Sequence, residues 1–197
     1  VQLEGIRLGF VVTGSHCCLK EVLVEAAKLV AEGAEVTPVV SYAVSTTDTR
    51  FGKAADWCSK LNEITDREPI KTIDAAEPIG PGKLFDLLVV APCTGNTLAK
   101  LANGVIDTPA LMAIKAHLRN QRPVVIAIST NDGLGLNAKN IATLINTKNI
   151  YLVPFGQDNP IAKPNSLVAK FDKILDTICC ALEGKQIQPL LIQATAK

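Results

Sequence analysis

The sequence contains no Cys-x-x-Cys pair and only two histidines, and its six cysteines fall as Cys17-Cys18, Cys58, Cys93 and Cys179-Cys180. The ligand spacing of a zinc site is therefore missing, and no metal is expected. Net charge is nearly absent too: 20 Lys and Arg stand against 19 Asp and Glu, with no basic block. That removes the electrostatic footprint of a nucleic-acid-binding protein. No apolar run approaches the roughly 20 residues of a membrane-spanning helix. No secretory leader precedes the first strand pattern, so a reduced, cytoplasmic setting is expected, with no membrane partner. In that setting the thiols read as small core residues, Cys93 excepted because it opens a polar segment. Gly-x-Gly-x-x-Gly is also lacking. The turn after the first strand pattern holds one glycine, Gly14, so a dinucleotide's pyrophosphate has no cradle and a mononucleotide fits better.

What is present is an alternation. A chain of 197 residues with 48% hydrophobic content can bury one sizeable core, and no linker divides it, so residues 1–197 read as a single domain. Strand patterns at Arg7–Thr13, Glu35–Ser41, Leu87–Val90, Val124–Ile128 and Ile150–Val153 alternate with helical patterns at Leu19–Val30, Ala54–Ile64, Leu98–Ala102, Pro109–Leu118, Ala138–Thr147 and Ser166–Leu182. Gly33 suits the end of the first helix, Pro38 argues for an edge or irregular second strand, and residues 65–83 are loop-rich. Ala91-Pro92 should end the third strand abruptly, and Gln186–Ile192 can add an arm or edge strand. Nearly continuous apolar strands separated by helices specify an α/β fold with a mostly parallel sheet covered on both faces, a Rossmann-like or flavodoxin-like three-layer sandwich.

Three strand ends carry small polar residues: Thr13-Gly14-Ser15-His16, the stretch Ser41–Thr49, and Cys93-Thr94-Gly95-Asn96-Thr97. Open α/β sheets bind ligands at such ends, where backbone N–H groups are free and helix dipoles favour anions. Each has a plainer account. Gly14-Ser15 makes an ordinary turn and helix cap, and Asn96-Thr97 an ordinary cap. A further polar segment, Ser129-Thr130-Asn131-Asp132, follows the fourth strand; there Asn131 is either a ligand contact or part of a routine connection. His117 reads as a surface histidine complementing a helix C-terminus, and His16 as a residue able to touch a phosphate.

Pro92-Cys93-Thr94-Gly95-Asn96-Thr97, continued by Ala99-Lys100-Leu101-Ala102-Asn103-Gly104, resembles the Pro-Ala-Ser-Ala-Asn-Thr signature of FMN-binding cysteine decarboxylase-type flavoproteins. The resemblance implies FMN held by Gly14, Ser15, Ser41, Thr94, Gly95, Asn96 and Thr97. It does not extend to the decarboxylases' catalytic groups: Pro78–Gly82 and Phe155–Asp158 stand where those enzymes carry a histidine and a cysteine. The departures are themselves a pattern. Thr13–Cys17, Ser45–Gly52, Ile128–Asn137 and Pro154–Pro160 together resemble the dipicolinate synthase B-subunit family of spore-forming bacteria. That resemblance implies oxidation of dihydrodipicolinate to dipicolinate beside an A subunit carrying the NAD(P) site, in the mother cell during sporulation, by a homo-oligomer. It leaves the catalytic residue unassigned. Arg50 and Asn131 become candidate substrate contacts, because a guanidinium can bind a carboxylate bidentately. Arg50 also reads as a solvated loop charge, and Lys100 as part of an exposed helix face. Two alternatives stand beside this reading: a stand-alone FMN-dependent decarboxylase, and a non-catalytic scaffold with a vestigial flavin pocket.

Overall fold

The computed structural model describes residues 2–193. β1 (Arg7–Val12) leads through a 3-10 turn, His16–Cys18, into α1 (Leu19–Ala31), and β2 (Glu35–Val40) is followed by α2 (Tyr42–Thr46), α3 (Ala54–Thr65) and α4 (Ile73–Ala76). Next come β3 (Leu87–Cys93), α5 (Gly95–Ala102), α6 (Pro109–Arg119), β4 (Val124–Thr130), α7 (Ala138–Ile145) and β5 (Ile150–Leu152). A hairpin of β6 (Phe155–Gln157) and β7 (Leu167–Ala169) and the final helix α8 (Ile174–Leu182) follow.

The sheet runs β2-β1-β3-β4-β7-β6, with β5 beside β4 off this path. β1 to β5 are mutually parallel and the β6–β7 hairpin is antiparallel, so the mostly parallel α/β sandwich read from the sequence is borne out. β4 shares one side between two neighbours: Val124–Ile126 pair with β5, and Ser129 and Thr130 pair with β7. Every residue of β3 is buried, which is why its sequence is continuously apolar rather than alternating. The crossovers put α1 on one face and α6 on the other, as the right-handed rule for parallel connections requires of this strand order; α8 packs beside α1, and α4 beside α6. One cluster of buried side chains, Phe10, Val89, Ile126 and Ile178 among them, runs through both layers. β2 is an edge strand, as Pro38 suggested. Ile70 flanks it, donating to the Pro38 carbonyl and accepting from Val40, so the N–H that Pro38 lacks falls on the outer side.

Four expectations are corrected. Pro92 does not end its strand: β3 continues to Cys93, which pairs with Ile128 after a register shift beyond Val90, and the proline falls within that irregularity. The helix expected from Ser166 begins only at Ile174. Leu167-Val168-Ala169 suits a helix or a strand locally, and pairing with β4 and β6 decides for the strand. His117 is not on the surface but 1% exposed, and its Nε2 donates to the Pro123 carbonyl at 3.1 Å. Cys93 is fully buried, and burial pushes its thiol far above the usual range, so it is a core residue and not a reactive one. The expected C-terminal arm is short: Leu191 bridges Phe155, and the Gln186 side chain bonds the backbone of Leu152. Positions 1 and 194–197 of the single-domain expectation lie outside the described residues. Among the described residues no helix is long and apolar enough to cross a membrane.

Candidate functional site

Strand order places the site. β1 is followed by a crossover to one side, into β2, and β3 by a crossover to the other, into β4, so a crevice opens between the carboxyl ends of β1 and β3. Flavodoxin-like sheets of this order bind ligands at that switch point. Here the crevice is a cleft of about 340 Å³. Thr13 and Gly14 line it from β1, Ser41, Tyr42 and Ala43 from the turn after β2, and Thr94, Asn96, Thr97 and Lys100 from α5. Thr108 and Leu111 close it from the start of α6.

Thr13 holds the two strand ends together. It is buried, its hydroxyl donates to the Pro92 carbonyl at 2.7 Å, and the same oxygen accepts from Thr94 N–H at 3.0 Å. Thr94 in turn caps α5, accepting from Thr97 N–H at 3.2 Å and bonding the Thr97 hydroxyl at 3.0 Å. The cap is therefore Thr94. Asn96 sits two positions further on with an exposed side chain, so capping does not account for it.

Ser41 has the more telling environment. It stands at the N-cap position of α2 yet makes no side-chain cap bond, and its hydroxyl is buried without a hydrogen-bond partner among the described residues. His16 Nε2, beside Gly14, is likewise buried and unpartnered among them. A buried polar atom left unpaired costs about 1–3 kcal/mol, and such groups mark strain, function or a missing ligand. Gly14 is needed for close approach: a Cβ there would meet Ala43 Cβ at 2.8 Å, so the glycine lets the α2 turn close against the end of β1.

Five of the nine residues singled out in the sequence, Gly14, Ser41, Thr94, Asn96 and Thr97, thus come together in one cleft. The other four are placed elsewhere. The Ser15 hydroxyl bonds Ser129 Oγ at 2.8 Å, in a cluster that includes Cys18. Gly95 faces away from the cleft, where a Cβ would lie 2.4 Å from Thr130 Oγ1 and 2.7 Å from Asn137 Nδ2. Arg50 stacks its guanidinium 4.9 Å from the Phe51 ring centroid, outside the cleft lining. Asn131 accepts a hydrogen bond from Ser166 Oγ at 3.4 Å. Ser45, Thr46 and Asp48, from the second hydroxyl-rich stretch, line a separate and more open hollow of about 560 Å³ against α3. Among the described residues, none of the buried unpartnered side-chain atoms belongs to that hollow, so the smaller cleft is the better ligand site. Sequence reasoning missed Thr13 as a brace and Thr108 as a wall. Thr108-Pro109 reads simply as a helix start, which it also is.

The family model described as Flavoprotein matches residues 1–183. The chain belongs to the Flavoprotein family. Within this family it is 52% identical over 192 residues to the dipicolinate synthase B subunit of Bacillus subtilis (strain 168), covering 98% of this chain and 96% of that one. The crystal structure of the dipicolinate synthase B subunit from Bacillus halodurans superposes with a TM-score of 0.91 at 50% identity, covering 99% of this chain and 100% of the other. The resemblance to those B subunits thus spans nearly the whole chain. The crystal structure of SpaF, an FMN-dependent cysteine decarboxylase, shares the Flavoprotein fold at a TM-score of 0.67 and 21% identity, over 92% and 97% of the two chains. The cleft's donors suit such a group. It offers hydroxyls, a free amide, the positive end of α5 and one ammonium, with no carboxylate in its lining.

Proposed function

We propose that this chain holds FMN in the β1/β3 crevice and acts as one subunit of a dipicolinate synthase, oxidising dihydrodipicolinate beside an A subunit that supplies the NAD(P) site. The carrying observation is Ser41: a buried hydroxyl with no partner among the described residues, in a cleft it shares with Gly14, Thr94, Asn96 and Thr97. A flavin phosphate or ribityl hydroxyl reaching Ser41 would satisfy that hydroxyl, and the Asn96 amide would meet the polar edge of the ring. FMN, when bound, supplies a two-electron acceptor.

Converting a dihydropyridine to a pyridine removes a hydride and a proton. The titratable side chains lining the cleft are Tyr42 and Lys100, with no His, Asp, Glu or Cys among them. The lining thus offers no carboxylate or imidazole base, and we assign proton removal to the A subunit or to water, which fits an enzyme completed in trans. The same lining speaks against a stand-alone decarboxylase, since Cys93 is in the core and His117 is buried against Pro123. The exposed aliphatic side chains Leu134, Leu136 and Ile161 offer surface for contacts with copies of this chain and with the A subunit. The setting we infer is the cytoplasm of the mother cell in a sporulating bacterium, with residues 1–197 working as one domain.

Titrating the purified chain with FMN should give saturable quenching of flavin fluorescence. Dipicolinate, followed by its ultraviolet absorbance, should form from dihydrodipicolinate and NADP only when both subunits are mixed. No flavin binding by the folded chain refutes the cofactor assignment. Full activity from the A subunit alone reduces this chain to a scaffold, and activity from this chain alone refutes the division of labour.

A further inference from the structure

Lys100 is the one cation among the residues lining the cleft. It lies four residues after Asn96 and three after Thr97, so α5 turns all three toward the same space. Its side chain is 27% exposed, whereas the sequence alone suggested an exposed helix face. The ammonium is held by Asp107 at 2.6 Å, and Asp107 itself is 51% exposed and outside the cleft lining. An ion pair this open to water gains little, because solvent and salt screen it and two side chains are immobilised. Moving the ammonium from Asp107 to another carboxylate therefore costs little.

Thr108, next in the chain after Asp107, provides a second donor. Its oxygen accepts from Leu111 N–H at 3.2 Å as the cap of α6, and its own hydroxyl proton has no acceptor among the described residues. A carboxylate in this cleft would meet an ammonium and a hydroxyl donor and no competing acid within the lining. Arg50, the cation that the sequence suggested for this task through its planar guanidinium, stacks on Phe51 elsewhere.

We propose that Lys100, together with the Thr108 hydroxyl, recognises a carboxylate of the substrate, and that Asp107 is a built-in competitor which holds Lys100 until such a ligand displaces it. The inference deepens the functional reading above and rests on it for the substrate class, a dihydropyridine dicarboxylate whose two carboxylates persist in the aromatic product. It also fixes opposite signs for two neighbouring substitutions. Removing the ammonium must weaken binding, while neutralising Asp107 must strengthen it.

The probe is dipicolinate, titrated calorimetrically into the full chain with and without saturating FMN. Lys100→Met should lose at least about tenfold in dipicolinate affinity, Lys100→Arg should stay within about threefold of the native chain, and Asp107→Asn should bind several-fold more tightly. Lys139→Met, outside the cleft, controls for net charge and should change nothing. Parallel titrations with FMN and riboflavin separate the two anions that Lys100 could meet. If Lys100→Met weakens FMN but not riboflavin, Lys100 serves the flavin phosphate and the proposal is overturned. Equal dipicolinate affinity in Lys100→Met and the native chain overturns it as well, as does weaker binding by Asp107→Asn. Failure of FMN to bind would count against the cofactor assignment alone, because the FMN-free dipicolinate titration still decides the role of Lys100.

Discussion

Thr13→Val tests whether the crevice is held open by one hydroxyl. Valine matches threonine in shape but removes the oxygen that donates to the Pro92 carbonyl at 2.7 Å and accepts from Thr94 N–H at 3.0 Å. Pro92 keeps a second donor, the Thr13 N–H at 3.3 Å, so the group left without a partner is the Thr94 N–H. An unsatisfied buried amide costs about 1–3 kcal/mol, and because Thr94 is half-buried we expect the lower part of that range, about 1–2 kcal/mol. For a chain of this size that corresponds to a fall in Tm of about 2–8 °C. Thr94 is also the cap of α5 and part of the cleft wall, so its displacement should weaken FMN by about tenfold, roughly 1.4 kcal/mol. Thr13→Ser restores the oxygen and should recover both quantities. Thermal melting by circular dichroism and flavin fluorescence titration read them separately. A Thr13→Val protein that melts within about 1 °C of the native chain and binds FMN equally would refute the brace.

Acid should unfold this protein partly through His117. Burial, opposed by the bond to Pro123, lowers its pKa from 6.5 to about 4, so the unfolded chain takes up the proton first. Stability is then lost as pH falls from about 6.5 to about 4, by roughly 3 kcal/mol in all. In urea unfolding at several pH values, His117→Gln should flatten that window relative to the native chain; identical slopes would show that His117 is not responsible. Gly95→Ala should destabilise by about 1–3 kcal/mol through overpacking against Thr130 and Asn137, and an unchanged denaturant midpoint would dismiss the packing argument. Arg50→Ala should leave FMN affinity within about twofold, because Arg50 lies over Phe51 and outside the cleft lining; a large loss would return the Thr49–Gly52 turn to the site.

Strand and helix order was legible because burial on both faces writes itself into the sequence: Leu87-Leu88-Val89-Val90 and Val124-Val125-Ile126-Ala127-Ile128 have no polar interruption to satisfy. The errors fell where local pattern and distant pairing disagree. Leu167-Val168-Ala169 carries no period long enough to separate helix from strand, and its partners lie outside the local window: Phe155–Gln157 across a hairpin loop, and Ser129 and Thr130 far away in sequence. His117 was misplaced for a related reason. A histidine in the last turn of a helix satisfies the dipole rule, but the Pro123 carbonyl that accepts its hydrogen bond lies beyond the helix, where periodicity says nothing.

The site divides along the same line. Small polar residues at strand ends could be found from the sequence because the strands themselves were clear, and Gly14, Ser41, Thr94, Asn96 and Thr97 do share one cleft. Which polar residue faces the cleft could not be found, because adjacent positions around a tight turn or a first helical turn point in different directions. Ser15 turns to Ser129 while Gly14 stays at the cleft, and Gly95 turns to Thr130 while Asn96 stays. The choice of cation follows the same geometry. Arg50 sits in a turn closed on itself between Thr49 and Gly52, so its reach is set locally, whereas Lys100 is carried on α5 one turn beyond Asn96 and is delivered to the cleft by the helix that also delivers Asn96 and Thr97. Helical spacing from an identified contact is therefore the sequence signal that would have singled out Lys100, and it applies only after the contact residue's own direction is known.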